Sequence, residues 1–208
     1  SRPYYDVKLA VKAGADVIVL DGMQGGTAAT QEVFIEHVGI PILPAIPQAV
    51  QALQEMGMHR KVQLIVSGGI RSGADVAKAM ALGADAVAIG TAALIALGDN
   101  HPRLDDELKA IGSAAGYYDD WQNGRDPAGI TTQDPELSKR LDPIEGGRHL
   151  ANYLRVLTLE AQTMARACGK SHLHNLDPED LVALNVEAAA MARVPLAGTN
   201  WIPGQVQY

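Results

Sequence analysis

Four short apolar segments, separated by helical patterns, span the first 94 residues of the chain. DVIVLDG, GIPILPAI, VQLIVSGG and AVAIGTA are apolar along their length instead of alternating with polar residues. Continuous apolar runs of this kind predict strands covered on both faces, as in parallel sheets. The predicted strands end near Leu20, Ile46, Gly69 and Gly90.

Residues 5–13, 47–57 and 73–82 carry apolar side chains at helical spacing, so helices are predicted between the strands. An alternating order of this kind is typical of α/β folds, either a βα-barrel or a doubly wound sheet. No Gly-x-Gly-x-x-Gly pattern follows a strand, which disfavours a dinucleotide-binding doubly wound fold.

Two predicted strands end in glycine turns, at Ser67-Gly68-Gly69 and at Gly90-Thr91. Late strand ends in βα-barrels often hold a phosphate, and glycines without a Cβ atom let an anion approach the backbone closely. The turns therefore favour a phosphate-binding barrel. The alternative is that these glycines only shape the turns.

Composition excludes several classes of function. The formal net charge is −7 and no basic block stands out, so nucleic acid is not an expected partner. No apolar run approaches the roughly 20 residues of a membrane span. Cys168 is the single cysteine, so no internal disulfide is expected, and a cytoplasmic location is predicted.

DGMQGGTAAT, SGGIRSGADVAKAMALGADAVAIGTAALIALG and DPAGITTQDPEL together resemble the FMN-binding barrel of the glutamate synthase family. The resemblance implies an α/β fold, the C-terminal half of a (β/α)8 TIM barrel, over residues 1–98. A loop-rich and helical extension packed on the barrel would follow over residues 99–208. In this family an upstream half-barrel supplies the first strands, so residues 1–208 are expected to need it, in the same or a separate chain, for stable folding with FMN.

The resemblance also implies site residues. Four residues match the positions at which the family holds the FMN phosphate: Gly68, Gly69, Gly90 and Thr91. Ser67 and Arg71 are predicted to join them. The loop predicted to face flavin and substrate contributes Asp21, Gly22, Gln24, Gly25, Gly26 and Thr27. Gln24 stands where many family members carry an acidic residue. Thr27 also suits a helix N-cap, and Arg71 could instead be a solvated arginine at a helix start.

A second departure concerns iron. Glutamate synthases carry three cysteines before the Pro-Ala-Gly-Ile segment, and these thiolates hold an iron–sulfur cluster. The corresponding positions here hold Ala115, Trp121 and Asp126, so no cluster is expected. Cys168 continues an apolar helical stripe that begins at Leu150 and is predicted to be a buried core thiol.

The segments YYDDWQNGRDPAGITTQDPEL and GKSHLHNLDPEDLVALNVEAAAMARVPLAGTNWIPG resemble the large subunits of methylamine–glutamate N-methyltransferases, a branch of the family. This implies conversion of methylamine and glutamate to N-methylglutamate and ammonia. It also implies partner subunits similar to the amidotransferase and glycine-rich domains of glutamate synthase. The alternatives are glutamate synthase itself, a flavin-free barrel isomerase or dehydrogenase, and a non-catalytic subunit or inactive fragment.

Local signals in the C-terminal half predict two helix starts. Asp134-Pro135-Glu136 and Asp177-Pro178-Glu179 each place an N-cap residue before proline, the second ahead of a helix that carries Leu181. His172 and His174 flank Leu173, and a metal site or surface histidines are the alternatives, with no further ligand at convincing spacing. No metal ligand and no general acid or base is assigned.

Overall fold

The computed structural model describes residues 2–24, 32–99, 101–111 and 125–205. The strands are β1 (Val17–Asp21), β2 (Gln63–Ser67) and β3 (Ala86–Ala88). The helices are α1 (Pro3–Lys12), α2 (Glu32–His37), α3 (Ile42–Glu55), α4 (Gly73–Ala81), α5 (Thr91–Leu97), α6 (Asp105–Ala110), α7 (Pro135–Ser138), α8 (Pro143–Ala167) and α9 (Val186–Ala192). Single 3-10 turns cover Pro102–Leu104, Leu173–Asn175 and Pro178–Asp180.

The three strands form one parallel sheet in the order β1-β2-β3. Asp21 lies opposite Ser67, and Ser67 lies opposite Ala88, so the carboxyl ends of all three strands meet at one edge. Helices connect each strand to the next, as parallel pairing requires. This confirms the predicted α/β class.

The predicted strand GIPILPAI is wrong, because its residues open the 14-residue helix α3. Pro41 precedes the helix and Pro44 lies in its first turn, where backbone N–H groups have no intrahelical partner and proline is tolerated. Pro47 lies inside the helix and removes one hydrogen bond. Burial of an apolar stripe offsets that loss, with Ile42, Ala45, Ile46, Ala49, Val50, Ala52 and Leu53 all buried.

Helices cover one face of the sheet. Leu64 and Val66 of β2 are fully buried, as is Leu53 of α3. On β1, by contrast, Val17 and Val19 are 52% and 61% exposed. No described element lies over these valines, so coverage of β1 on both faces stays a prediction.

The chain divides into two compact units. One comprises residues 1–25, 38–88 and 157–208 and contains the whole sheet; the other comprises residues 26–37 and 89–156. In the second unit, Arg140 joins α6 to the segment before α7, because its guanidinium donates to the Glu107 carboxylate at 2.7 Å and to the Pro127 carbonyl at 3.0 Å. None of the helices in the described parts of the chain combines the length and apolarity needed to span a membrane.

In the first unit, helix α1 is attached to α3 through polar groups. The Glu55 carboxylate accepts hydrogen bonds from the Lys8 ammonium and the Tyr4 hydroxyl. Hydrogen bonding to Lys8 and then to Tyr4 lowers the pKa of Glu55 to about 2. Glu55 is therefore a carboxylate at neutral pH, and the contact between α1 and α3 is partly ionic.

Helix α8 packs its C-terminal half against α4. Ala161 and Ala165 are buried, and Ala165 lies in one cluster with Ala77 and Ala81 of α4. The small side chains let the two helices approach closely. At the start of α4 the approach is closer still, because the Gly73 N–H donates to the Glu160 carboxylate at 2.9 Å.

Cys168 is exposed, so the predicted buried thiol is wrong. Helix α8 ends at Ala167, and Gly169 follows with a φ of +72°. The Cys168 N–H still donates to the Met164 carbonyl at 3.1 Å, so Cys168 closes the last turn of α8, at the end of the helix, and the chain leaves the helical path at Gly169.

The first of the two predicted helix starts is confirmed. Asp134 caps α7 by accepting from the N–H groups of Glu136 and Leu137. Asp177 caps only a 3-10 turn, and α9 begins later with Asn185 as its N-cap, so the second start is wrong in position. Lys170 contacts both Asp177 and Asp180, at 3.0 and 3.3 Å, and this ion pair stabilises the short turn.

His172 and His174 are exposed and hydrogen-bonded, as the surface alternative predicts. His174 Nε2 lies 2.9 Å from the Asp85 carbonyl oxygen, so this nitrogen carries a proton and donates. The two rings stack with 17° between their planes. Lone pairs in nearly parallel ring planes do not converge on one point, which disfavours a shared metal ion.

Candidate functional site

Three glycines gather at the carboxyl ends of β1 and β2. The Gly22 N–H donates to the Ser67 carbonyl at 2.9 Å, which carries the strand pairing into the turn. A Cβ atom on Gly68 would stand 3.4 Å from the Gly22 Cα. Gly68 and Gly69 have φ values of +132° and +69°, a region that favours glycine, so the sequence Gly68-Gly69 is required by the turn itself.

Gln24 lies against this glycine turn. Its side-chain oxygen accepts a hydrogen bond from the Ile42 N–H at 3.0 Å. A Cβ atom on Gly22 would come within 2.6 Å of that oxygen, and a Cβ on Gly68 within 2.9 Å. The glycines therefore make room for the Gln24 carboxamide at the end of the sheet.

The remaining predicted residues of this edge are placed as follows. Asp21 ends β1, is exposed, and lies opposite Ser67. Arg71 is exposed two residues beyond Gly69, and its backbone N–H donates to the Asp75 carboxylate at 3.0 Å. Gly25, Gly26 and Thr27 lie outside the described residues, so their predicted roles stay predictions.

The second predicted turn, Gly90-Thr91, belongs to the second unit. Gly90 is the N-cap of α5 and Thr91 is its first residue, and the Gly90 carbonyl accepts from the Ala93 N–H at 2.8 Å. Apart from its neighbours Ile89 and Thr91, no described residue has a heavy atom within 4 Å of the position that a Cβ on Gly90 would take. On Gly69 the nearest atom to such a Cβ is the Gln24 Cγ, at 3.5 Å. The Gly90 backbone is thus open on that side, which fits the approach of a phosphate group, whereas the corresponding side of Gly69 is in van der Waals contact with Gln24.

Asp126, at the position of a family cluster cysteine, is buried and fully engaged. Its Oδ1 accepts from the Ala128 N–H at 2.9 Å. Its Oδ2 accepts from the Ile130 and Thr131 N–H groups at 2.8 and 2.7 Å and from the Thr131 hydroxyl at 3.1 Å. A hard carboxylate turned inward onto its own loop does not fit the role of a cluster ligand. Ala115 and Trp121, the other two positions, lie outside the described residues.

Asp126 is expected to hold the Pro127–Thr131 loop together. In Asp126→Asn, one acceptor oxygen becomes an NH2 group that faces backbone donors, so we expect a loss of about 2–4 kcal/mol in the free energy of unfolding. Thr131→Val removes only the hydroxyl bond and should lose about 1 kcal/mol. Chemical denaturation of the two variants measures the difference; equal losses would contradict the inward-facing carboxylate.

Comparison with known proteins identifies the family. Residues 1–104 and 122–171 match the family described as the conserved region in glutamate synthase. The chain belongs to the glutamate synthase family. The match includes both glycine turns and the Asp126 loop, so the predicted family is confirmed.

Three relatives show how far the similarity extends. The chain is 76% identical over 205 residues to a glutamate synthase large subunit-like protein of Rhizobium meliloti, covering 99% of this chain and 46% of that protein. It is 44% identical over 162 residues to an archaeal glutamate synthase [NADPH] of Methanocaldococcus jannaschii, covering 78% and 29%. It is 33% identical over 160 residues to the glutamate synthase [NADPH] large chain of Bacillus subtilis, covering 76% and 9%. The chain thus spans about half or less of the length of these relatives.

The role of Gln24 as a cap is absent from the sequence-based prediction. The signal lies in α3, because Pro41 provides no side-chain cap for this helix. A buried helix start without its own cap needs an acceptor from elsewhere in the chain. Predicting this cap from the sequence requires that GIPILPAI first be recognised as the start of a helix.

Proposed function

We propose that this chain is part of an FMN-dependent enzyme that transfers amines in the manner of the glutamate synthase family. The specific reaction proposed is methylamine plus glutamate to N-methylglutamate plus ammonia. The observation that best supports a ligand site on this chain is the adjacency of Gly22 to Gly68 at the carboxyl edge of a parallel sheet. Ligands of parallel α/β folds bind at that edge.

FMN, when bound, would supply a two-electron acceptor that returns its electrons within one turnover. For the chain's own residues we propose two tasks. Backbone N–H groups of Gly68, Gly69, Gly90 and Thr91 hold the phosphate, with Ser67 and Arg71 beside them. Asp21 and Gln24 border the bound flavin and substrate, together with Gly25, Gly26 and Thr27.

The electron balance of the reaction favours this branch of the family. Exchange of ammonia for methylamine on glutamate breaks one carbon–nitrogen bond and forms another, with no net oxidation or reduction. Glutamate formation from 2-oxoglutarate, in contrast, consumes two electrons from a donor. The Asp126 carboxylate does not fit a cluster that would deliver them, and an amine exchange needs no such delivery.

We further propose that the sheet is the second half of a (β/α)8 barrel. Val17 and Val19 are exposed on β1, and β1 pairs with β2 alone among the described strands. Strands of an upstream half-barrel, in the same or another chain, would pair with that edge and cover those side chains. The division into barrel residues 1–98 and an extension over residues 99–208, the partner subunits, and the cytoplasmic location stay predictions.

Glutamate synthase activity is the second candidate, supported by the names of the archaeal and Bacillus relatives. One experiment separates the two. The intact protein, purified with its partner chains, is incubated with methylamine and glutamate without reductant, and separately with 2-oxoglutarate, glutamine and a reductant. Mass spectrometry identifies the products, and flavin absorbance and iron content are measured.

The expected result is N-methylglutamate without reductant, bound flavin, and no stoichiometric iron. Glutamate formed only with a reductant, together with stoichiometric iron and sulfide, would identify glutamate synthase as the function. A flavin-containing protein inactive in both assays would favour a non-catalytic subunit, and a flavin-free one would favour the isomerase or dehydrogenase alternative.

A further inference from the structure

Gln24 presents two chemically different ends at the glycine turn. Its carboxamide oxygen faces the Ile42 N–H, the donor at the first residue of α3, at 3.0 Å. The oxygen and the NH2 group of an amide diverge from the same carbon, so the NH2 group takes no part in the bond to the Ile42 N–H. The side chain is exposed although its oxygen is engaged.

The position of this side chain relative to the turn is fixed by close contacts. Oε1 lies where a Cβ on Gly68 would approach it to 2.9 Å, and Cγ lies 3.5 Å from the corresponding position on Gly69. A longer or bulkier residue at either glycine would displace the carboxamide. Gln24 therefore forms one wall of the carboxyl edge at which the proposed ligand binds.

We propose that Gln24 determines ligand specificity at this edge, its NH2 group donating a hydrogen bond to an acceptor atom of the bound ligand. The proposal rests on the proposed function. The acceptor belongs either to the flavin ring, as a carbonyl or ring nitrogen, or to a carboxylate of the amino-acid substrate. Either accepts from a neutral donor and is repelled by a carboxylate.

An acidic residue at this position would act differently on the two sides. The carboxylate introduced by Gln24→Glu still accepts from the Ile42 N–H, and the dipole of the 14-residue helix α3 favours its charge. Towards the ligand it presents a negative charge in place of a donor. Capping and ligand selection can thus be separated by a single substitution.

The test compares Gln24→Glu with Gln24→Met in the intact protein. Gln24→Glu should keep the wild-type unfolding midpoint, and Gln24→Met should lower it, because methionine cannot cap α3. Both should weaken ligand binding by about ten-fold or more, since each loses the donor. The dissociation constant of FMN is measured by flavin fluorescence, and KM and kcat for glutamate by product formation.

Comparing the two constants identifies which ligand accepts the hydrogen bond from Gln24. A raised dissociation constant for FMN places it on the flavin, and a raised KM for glutamate with unchanged FMN binding places it on the substrate carboxylate. In Gln24→Glu alone, binding should recover as the pH falls towards the range of about 4–5 in which a glutamate side chain takes up a proton. A purely structural residue would show no such recovery.

Wild-type values of both constants in Gln24→Glu would overturn the specificity role while leaving the proposed function intact. A wild-type protein that binds neither FMN nor amine substrates would overturn both proposals together. A Gln24→Glu midpoint as low as that of Gln24→Met would show that the oxygen does not cap α3.

Discussion

Gly73→Ala is expected to destabilise the protein more than any other single methyl group added to a described helix. The new Cβ would stand 2.3 Å from the Glu160 Cβ, 2.4 Å from the Leu157 carbonyl oxygen and 2.5 Å from the Ala161 nitrogen. Two of these atoms belong to the backbone of α8, which cannot turn away as a side chain can. Overpacking and loss of the hydrogen bond to Glu160 together predict a loss of about 3–5 kcal/mol.

Gly147→Ala provides the matched control. Gly147 lies inside α8, and beyond the adjacent backbone of that helix no described residue has a heavy atom within 4 Å of the position its Cβ would take. Alanine is favoured over glycine in a helix interior, so this variant should gain about 0.5–1 kcal/mol. Chemical denaturation of the intact protein measures both. Similar effects in the two variants would show that α4 and α8 do not approach as closely as described.

Gly90→Val is expected to weaken FMN binding strongly with little effect on the fold. The position of its Cβ is open, so the side chain would occupy the space through which a phosphate reaches the backbone. Loss of two charge-assisted hydrogen bonds at about 1.5–3 kcal/mol each predicts a fall in affinity of roughly a hundred-fold or more. Flavin fluorescence measures binding, and thermal unfolding of the flavin-free protein checks the fold.

A graded series strengthens this test. Gly90→Ala should weaken FMN binding less than Gly90→Val, since its side chain is smaller, and Gly147→Ala should leave FMN affinity unchanged. Gly69→Val tests the phosphate assignment less directly. A φ of +69° strains any side chain at that position, so both stability and FMN affinity should fall. Unchanged affinity in both valine variants would contradict the phosphate assignment.

Local sequence patterns predicted the parts of the fold that depend on neighbouring residues. β1 and β2 follow from apolar runs that end at Gly22 and Gly68, and α7 follows from its cap at Asp134. GIPILPAI was misassigned because a short apolar run flanked by prolines fits a buried strand as well as a buried helix start. The deciding feature is the apolar stripe that continues to Leu53, well beyond the length of a strand.

The sequence likewise predicts one part of the candidate site and not the other. The glycine turns are visible in the sequence, because positive φ values require glycine and glycine marks the turn. The partners of those turns are not visible. Gln24 reaches Ile42 across 18 positions and Glu160 reaches Gly73 across 87, and nothing local in the sequence links either pair. These contacts follow from the packing of helices whose positions only the fold defines.

The bond between Gly73 and Glu160 also bears on how the chain folds as it is synthesised. The two residues lie 87 positions apart, and at about 5–20 residues per second the ribosome needs roughly 4–17 s to deliver the second after the first. Through that interval α4 depends on its own Ser72 and Asp75 capping box, which is entirely local. The start of α4 is therefore able to form early, and its docking against α8 is a late event of biosynthesis.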